Sequence, residues 1–156
     1  MTREERGHEV ERWADLVWRL ALVRTADIHD AEDVFQEVFL RYFRHEDEFA
    51  DDGHRRAWLI RCTVNRVKSL HASPWRRRTL PLETAESVGV RDEYRQAYAA
   101  VLALPEKQRV AAHLHYCEGY SVQETAELLG CPEGTVKSRL ARARELLRLE
   151  LGKEEE

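Results

Sequence analysis

Between Ser121 and Leu149 one spacing limits the fold more than any other: a small Ala126, Gly130 four residues later, and Val136 six beyond that. Two helices cross closely where the first offers an alanine, a glycine permits the tight turn and a branched apolar residue plugs the angle. The ends of both helices are marked as well. Ser121 and Glu124 form a capping box, Gly130 fits the left-handed position that closes a helix, and Pro132 opens the next, which runs to about Leu149. On that second helix Val136, Leu140, Ala143 and Leu147 face inward, leaving Lys137, Ser138, Ala141 and Arg142 outward. This is the end of a helix-turn-helix that enters a major groove. Lysine and arginine suit guanine edges, serine suits several bases and an alanine methyl meets a thymine methyl. Arg139 and Arg144 are placed as phosphate clamps.

Upstream, the apolar residues recur at helical spacing, and only seven glycines and four prolines leave little room for the turns of an all-β plan. An all-α chain is expected: two small helical domains joined by a linker, at 1–71, 72–91 and 92–156, the last carrying the helix-turn-helix. Glu9 to Arg24 reads as an amphipathic helix through Trp13, Leu16, Val17, Leu20 and Ala21. A second starts at Asp30 as its cap, with Ala31, Val34, Phe35, Val38, Phe39, Tyr42 and Phe43 inward. Asp33, Gln36, Glu37 and Leu40 then form an acidic outer strip with an apolar edge. After the turn signal Asp51-Asp52-Gly53, a long third helix turns Leu59, Ile60, Thr63, Val64, Val67 and Leu70 inward. Its opposite face holds Trp58, Arg61, Asn65 and Lys68. Such a face suits a nucleic-acid strand: cations neutralise phosphates, the amide reads a base edge and the indole stacks. The alternative is a buried Trp58 beside a wet basic surface. Pro74, Pro81 and three successive arginines mark the linker. A helix from Asp92 carries Tyr94, Ala97, Tyr98, Val101 and Leu102, and another runs from Pro105 to about Cys117.

Charge is segregated. The net value is only −4, yet Asp27 to Asp52 holds ten acids against Arg41 and Arg44. His54 to Leu82 holds eight bases and no acid, and Lys137 to Arg148 holds five bases against Glu145. Two basic segments and one acidic segment point to two polyanion contacts and one basic partner, rather than to three solvated faces. Cys62, Cys117 and Cys131, odd in number and widely spaced, argue against a disulfide framework. A metal site at His113, His115 and Cys117 is disfavoured because spacings of two spread the side chains around a helix. No cofactor, metal or catalytic residue is expected. No apolar stretch approaches the ~20 residues that span a bilayer. The polar start lacks the apolar core of a signal peptide, so a cytoplasmic chain is expected.

Four ordered blocks carry a family resemblance. They are Asp30-Ala31-Glu32-Asp33-Val34-Phe35-Gln36-Glu37-Val38-Phe39-Leu40, then Ala57-Trp58-Leu59-Ile60-Arg61 with Asn65. Leu104-Pro105-Glu106-Lys107-Gln108-Arg109 comes third, and last Gly134-Thr135-Val136-Lys137-Ser138-Arg139-Leu140-Ala141-Arg142-Ala143-Arg144. From Glu9 to Leu149 the chain resembles a bacterial RNA polymerase sigma factor of the sigma-70 family, in the compact extracytoplasmic-function (ECF) group. The resemblance implies that Asp33, Gln36, Glu37 and Leu40 dock on the clamp coiled coil of the largest catalytic subunit of core RNA polymerase. It implies that Trp58, Arg61, Cys62, Asn65, Arg66 and Lys68 bind the −10 promoter element and hold a base flipped from the melted non-template strand. It further implies that Thr135, Lys137, Ser138, Arg139, Ala141, Arg142 and Arg144 read the duplex −35 element. An anti-sigma protein that masks both domains is the partner such factors often have. The polymerase supplies the chemistry, so the chain is not expected to be an enzyme.

Two departures from the family pattern stand out. Larger sigma-70 members place a row of aromatics before the tryptophan, whereas Asp51-Asp52-Gly53-His54-Arg55-Arg56 has none. Strand opening is therefore expected to lean on Trp58 and the loop, with strict promoter choice. Thr125 replaces a usual isoleucine in the first helix of the turn motif and softens that packing. The competing reading is a stand-alone helix-turn-helix regulator that binds duplex DNA without polymerase; under it the acidic helix has no task.

Overall fold

The computed structural model describes residues 2–66, 83, 85–86 and 89–152, and among them every regular element is a helix. Helix α1 spans Arg3–Thr25. It begins earlier than its apolar stripe because Thr2 and Glu5 close a capping box at its first turn. Ala26 ends it in the left-handed conformation at φ 53°, its N–H donating to the Leu22 carbonyl. Ala26 and Asp27 alone separate α1 from α2, Ile28–Arg44. Asp27, not Asp30, is therefore the cap: its carboxylate accepts the Asp30 N–H at 3.0 Å, and Asp30 lies buried in the first turn.

Helix α3 spans Asp52–Arg61, capped by Asp51, whose carboxylate accepts the His54 N–H at 2.8 Å. The expected long helix does not continue in α form. Cys62–Arg66 winds as a π-helical turn, and the extra residue per turn rotates the side chains that come after Arg61. Leu59 and Ile60 of α3 point inward, as do Cys62 and Thr63 at the start of the π turn, with Val64 half-buried. Val67, Leu70 and most of the proposed linker lie outside the described residues.

In the C-terminal half, α4 is Asp92–Leu102 and α5 is Glu106–Ala112. Pro105 caps α5 from outside rather than filling its first turn, and a second π-helical turn, His113–Cys117, extends it. On α4 Tyr94 is 57% exposed and Ala97 is open, while Ala100 and Leu102 are buried. Only the end of α4 reaches the second core, through Val101 and the adjoining Leu104. Helix α6, Val122–Leu129, and helix α7, Glu133–Gly152, make the helix-turn-helix.

Among the described residues the buried apolar side chains gather in two clusters. One gathers α1, α2 and α3 around Val17, Leu20, Val38, Leu59 and Ile60, and it also takes in Val110, Leu114 and Leu128 from the C-terminal helices. The other holds Leu104, Ala111, Ala126, Val136, Leu140 and Ala143. The fold is all-α, two small helical domains with a C-terminal helix-turn-helix, and the first cluster crosses from one half into the other.

Candidate nucleic-acid interface

The turn between α6 and α7 has the geometry its spacing requires. Ser121 Oγ accepts the Glu124 N–H while Glu124 accepts the Ser121 N–H, both at 3.0 Å. Gly130 sits at φ 66°, where a side chain would be strained. Ala126 and Val136 are buried at 5% and 0% exposure, letting the helices meet. On α7, Val136, Leu140 and Ala143 are buried and Leu147 is half-buried. Lys137, Ser138, Ala141, Arg142 and Arg144 are exposed, and Thr135 and Arg139 are half-buried. Arg142 pairs with Glu145 at 3.1 Å. Arg144 donates to the Tyr116 hydroxyl at 2.7 Å, a partner from the preceding helical segment that the sequence did not signal. Thr125 is fully buried and its hydroxyl has no hydrogen-bond partner. The apolar pocket thus surrounds an unsatisfied oxygen where a methyl would fit.

The basic face of α3 is built differently. Trp58 is half-buried, and aromatic rings absent from residues 51–56 reach it from the end of α2 and the loop beyond. His45, Phe49 and Tyr42 lie 5.0, 5.8 and 6.1 Å from it, centroid to centroid. His45 stacks on Phe49 at 4.6 Å, and the Arg55 guanidinium lies over the same Phe49 ring. Arg61 is half-buried and Asn65 exposed. Cys62 is not on this face. At 1% exposure it belongs to the core, one turn beyond the buried Leu59, whose carbonyl accepts its N–H. The side chain of Arg66 and all of Lys68 lie outside the described residues.

Helix α6 lies across α3. Asn65 Nδ2 donates to the Leu128 carbonyl at 2.6 Å, and Arg56 donates to the Tyr120 hydroxyl. Arg56, Ala57 and Arg61 form one wall of a cleft whose other wall is Tyr120, Glu127 and Leu128.

At the centre of this junction is Glu118, its side chain 4% exposed. It accepts from Arg19 at 3.2 Å and from Arg56 at 3.0 Å, and His113 Nε2 lies 2.6 Å away. Burial opposes its ionisation, yet hydrogen bonds from His113 and Arg19 prevail and pull the carboxyl down to about 2. Burial also works against a charged His113, but hydrogen bonds to Cys117 and Glu118 raise its pKa above the ordinary value. His115 turns elsewhere, with Nδ1 2.7 Å from the Tyr120 carbonyl. Among the described residues no cluster of His, Cys, Asp or Glu is arranged to hold a metal ion.

On α2, Gln36 and Leu40 are exposed, Leu40 at 48%, and Asp33 and Glu37 are half-buried. Glu37 pairs with Arg41 at 3.0 Å, one turn along. The strip is acidic at one end and apolar at the other, as its spacing predicts.

Two family descriptions match this arrangement: Sigma-70 region 2 over residues 10–77, and Sigma-70, region 4 over residues 94–147. The ECF RNA polymerase sigma factor SigM of Mycobacterium tuberculosis is 37% identical over 142 residues, covering 86% of this chain and 70% of that one. The chain belongs to the ECF group of the sigma-70 family. The ECF RNA polymerase sigma-E factor of Escherichia coli is 34% identical over 137 residues, covering 76% of this chain and 72% of its own. Among solved structures, CnrH in complex with the cytosolic domain of CnrY superposes with a TM-score of 0.67 at 26% identity, over 97% of this chain and 90% of that one. Sigma factor RpoE in complex with the anti-sigma factor NepR, from Bartonella quintana, shares the fold. Its TM-score is 0.66 at 24% identity, over 94% and 96% of the two chains. This ECF sigma factor is thus a transcription initiation factor that directs RNA polymerase to promoters. Among its described residues no helix is long and apolar enough to cross a membrane.

Proposed function

We propose that three surfaces divide the work of this sigma factor. The exposed strip Asp33, Gln36, Glu37 and Leu40 on α2 docks on the clamp coiled coil of core polymerase, its acids meeting a basic partner and Leu40 supplying apolar contact. Trp58 and Arg61 on α3, with Asn65 in the π turn that follows, receive the melted non-template strand of the −10 element, and Arg66 and Lys68 are assigned to the same task. The cluster of Tyr42, His45 and Phe49 behind Trp58 holds its indole at a set angle for stacking. Helix α7 reads the −35 duplex: Lys137, Ser138, Ala141 and Arg142 toward base edges, Thr135, Arg139 and Arg144 toward phosphates.

Residues 1–71 act as the unit for polymerase and −10 binding, 92–156 as the −35 unit, and 72–91 as the link between them. The chain performs no catalysis, works in the cytoplasm, and is held in check by an anti-sigma protein, the kind of partner named for RpoE of Bartonella quintana. The observation that carries the reading is the exposure of Lys137, Ser138, Ala141 and Arg142 on a helix whose opposite side is sealed into the core.

Titration of core polymerase with the full chain tests the division. Glu37→Lys is expected to weaken polymerase binding about tenfold or more, the scale of one lost interfacial charge contact set against a like charge, and to leave duplex DNA binding unchanged. Equal loss of both activities would overturn the separation of surfaces.

A further inference from the structure

Arg144, on the outward side of α7, is held by a partner that lies outside that helix. Its Nη1 donates to the Tyr116 hydroxyl at 2.7 Å, 28 residues back along the chain. Tyr116 belongs to the π-helical turn His113–Cys117 that precedes α6, and it is 54% exposed. Although open to solvent, its ring is braced. The His115 ring meets it edge-on at 4.8 Å, and His115 Nδ1 lies 2.7 Å from the Tyr120 carbonyl. The turn is closed by the Glu118 N–H donating to the His113 carbonyl at 3.0 Å and the Tyr120 N–H to the Leu114 carbonyl at 3.1 Å. The phenol therefore stands on a fixed frame at the edge of the helix-turn-helix.

That edge faces the same way as the residues assigned to base edges. Lys137, Ala141 and Arg144 follow one another on a single stripe of α7, at spacings of four and three, and all are exposed. Seven residues carry Arg144 about 10 Å along the axis from Lys137, close to the ~12 Å width of a B-form major groove. With Lys137 at the base edges, Arg144 stands at the phosphate wall of the groove, and Tyr116 reaches the same wall from another segment. The chemistry of the pair suits that place. Arg142 is matched to the Glu145 carboxylate at 3.1 Å, an acid that a phosphate has to displace. The partner of Arg144 is a neutral phenol, which orients the guanidinium without cancelling its charge. A hydroxyl that accepts from arginine still has its own proton to donate, so one phosphate can take both donors.

We propose that Tyr116 is a further DNA-backbone residue of this factor: its hydroxyl holds the Arg144 guanidinium in place and donates to the phosphate that Arg144 neutralises. The inference rests on the reading of α7 as the −35 helix and adds to it a residue from outside the helix-turn-helix. Tyr116 reads no base. Two donors on one phosphate fix where α7 sits along the groove, which is how backbone contacts set register for the residues that do read bases. Ordering a long arginine side chain before DNA arrives also lowers the entropy that binding has to spend.

The test uses the full chain, Tyr116→Phe, Arg144→Ala and the double variant. Fluorescence anisotropy reports binding to a labelled mixed-sequence duplex over a range of salt concentrations, and circular dichroism with thermal melting checks that the fold is kept. Tyr116→Phe removes one exposed hydroxyl and keeps the ring. Arg144→Ala is expected to weaken binding about tenfold and to reduce the slope of log affinity against log salt by about 0.9, the value of one phosphate contact. Tyr116→Phe is expected to weaken binding about fivefold, the scale of one hydrogen bond, and to reduce the salt slope in the same direction as the guanidinium loses its hold. In the Arg144→Ala background the same change is expected to cost less than about twofold, because the two residues act as one unit. Unchanged affinity in Tyr116→Phe, or an equal loss in both backgrounds, overturns the inference while a weakened Arg144→Ala leaves the reading of α7 standing. Wild-type affinity and salt slope in Arg144→Ala defeat the placing of Arg144 at a phosphate, and the inference falls with it.

Discussion

Helices α3 and α7 both carry arginines on a polar face, yet they present them in opposite ways. On α7 the polar face looks outward along most of its length, backed by Val136, Leu140 and Ala143. On α3 Trp58 is drawn into an aromatic cluster, Arg56 is committed to Glu118 and Tyr120, and Asn65 is tied to Leu128. Charge patterning alone does not separate the two. The difference arises from partners far away in sequence, Glu118 being 62 residues from Arg56 and 99 from Arg19. An open helix and a covered one fit the order of events in initiation, since duplex exists before any strand is melted.

The contrast breaks most completely if α7 loses its seat. Leu140 is 3% exposed, and Leu140→Ala is expected to cost about 2–5 kcal/mol, read as a lower melting temperature by calorimetry together with weaker duplex binding. Unchanged stability would mean that α7 is not packed as described. The contrast sharpens with a matched pair on the two helices. Arg142→Ala is expected to weaken duplex binding by the free chain by about 1–3 kcal/mol. Asn65→Ala, on the covered face, is expected to leave that affinity unchanged and to show its defect only in transcription by the assembled polymerase.

Acidity probes the seam between the two helices. Because the Glu118 carboxyl is pulled down to about 2 from 4.5, its contribution to stability is complete above 4.5 and is lost as pH falls from about 4.5 toward 2. His113, raised above 6.5, works from the other side. Its contribution is complete below 6.5 and disappears as pH rises through its elevated value. Denaturant midpoints measured across pH are expected to decline at both ends. Glu118→Gln should flatten the acid limb and His113→Asn the alkaline one. The smallest effect belongs to Thr125. Thr125→Val removes a buried hydroxyl without a partner and is expected to stabilise the chain by about 1 kcal/mol, raising the melting temperature by about 2–4 °C.

The features legible in the sequence were local ones. The capping box of Ser121 and Glu124, the left-handed Gly130, and the burial of Ala126 and Val136 depend on residues a few positions apart, and each takes its expected place. The acidic strip on α2 arises from helical periodicity in the same way. The misreadings begin where tertiary partners intervene. Helix α2 starts at Ile28 with Asp27 as its cap because Ala26 closes α1 in the left-handed conformation just before it. Cys62 goes inward one turn beyond the buried Leu59, and Arg24 of α1 closes over this segment by donating to the Thr63 carbonyl, while the Thr63 hydroxyl donates to the Leu59 carbonyl at 2.7 Å. The aromatics that serve Trp58 lie before the acidic turn, not inside it, so the residues just ahead of Trp58 give no sign of them. Glu118 carried no local signal at all; a lone acid in a Glu-Gly turn becomes a hub only once α1 and α3 arrive beside it.

Run-off transcription with purified core polymerase on a promoter library decides whether this chain works through the acidic strip of α2. Promoter-specific transcripts are expected with the wild-type chain and none with Glu37→Lys, while both proteins still bind duplex DNA. Absence of transcripts from a wild-type chain that shifts duplex DNA unaided would contradict that expectation.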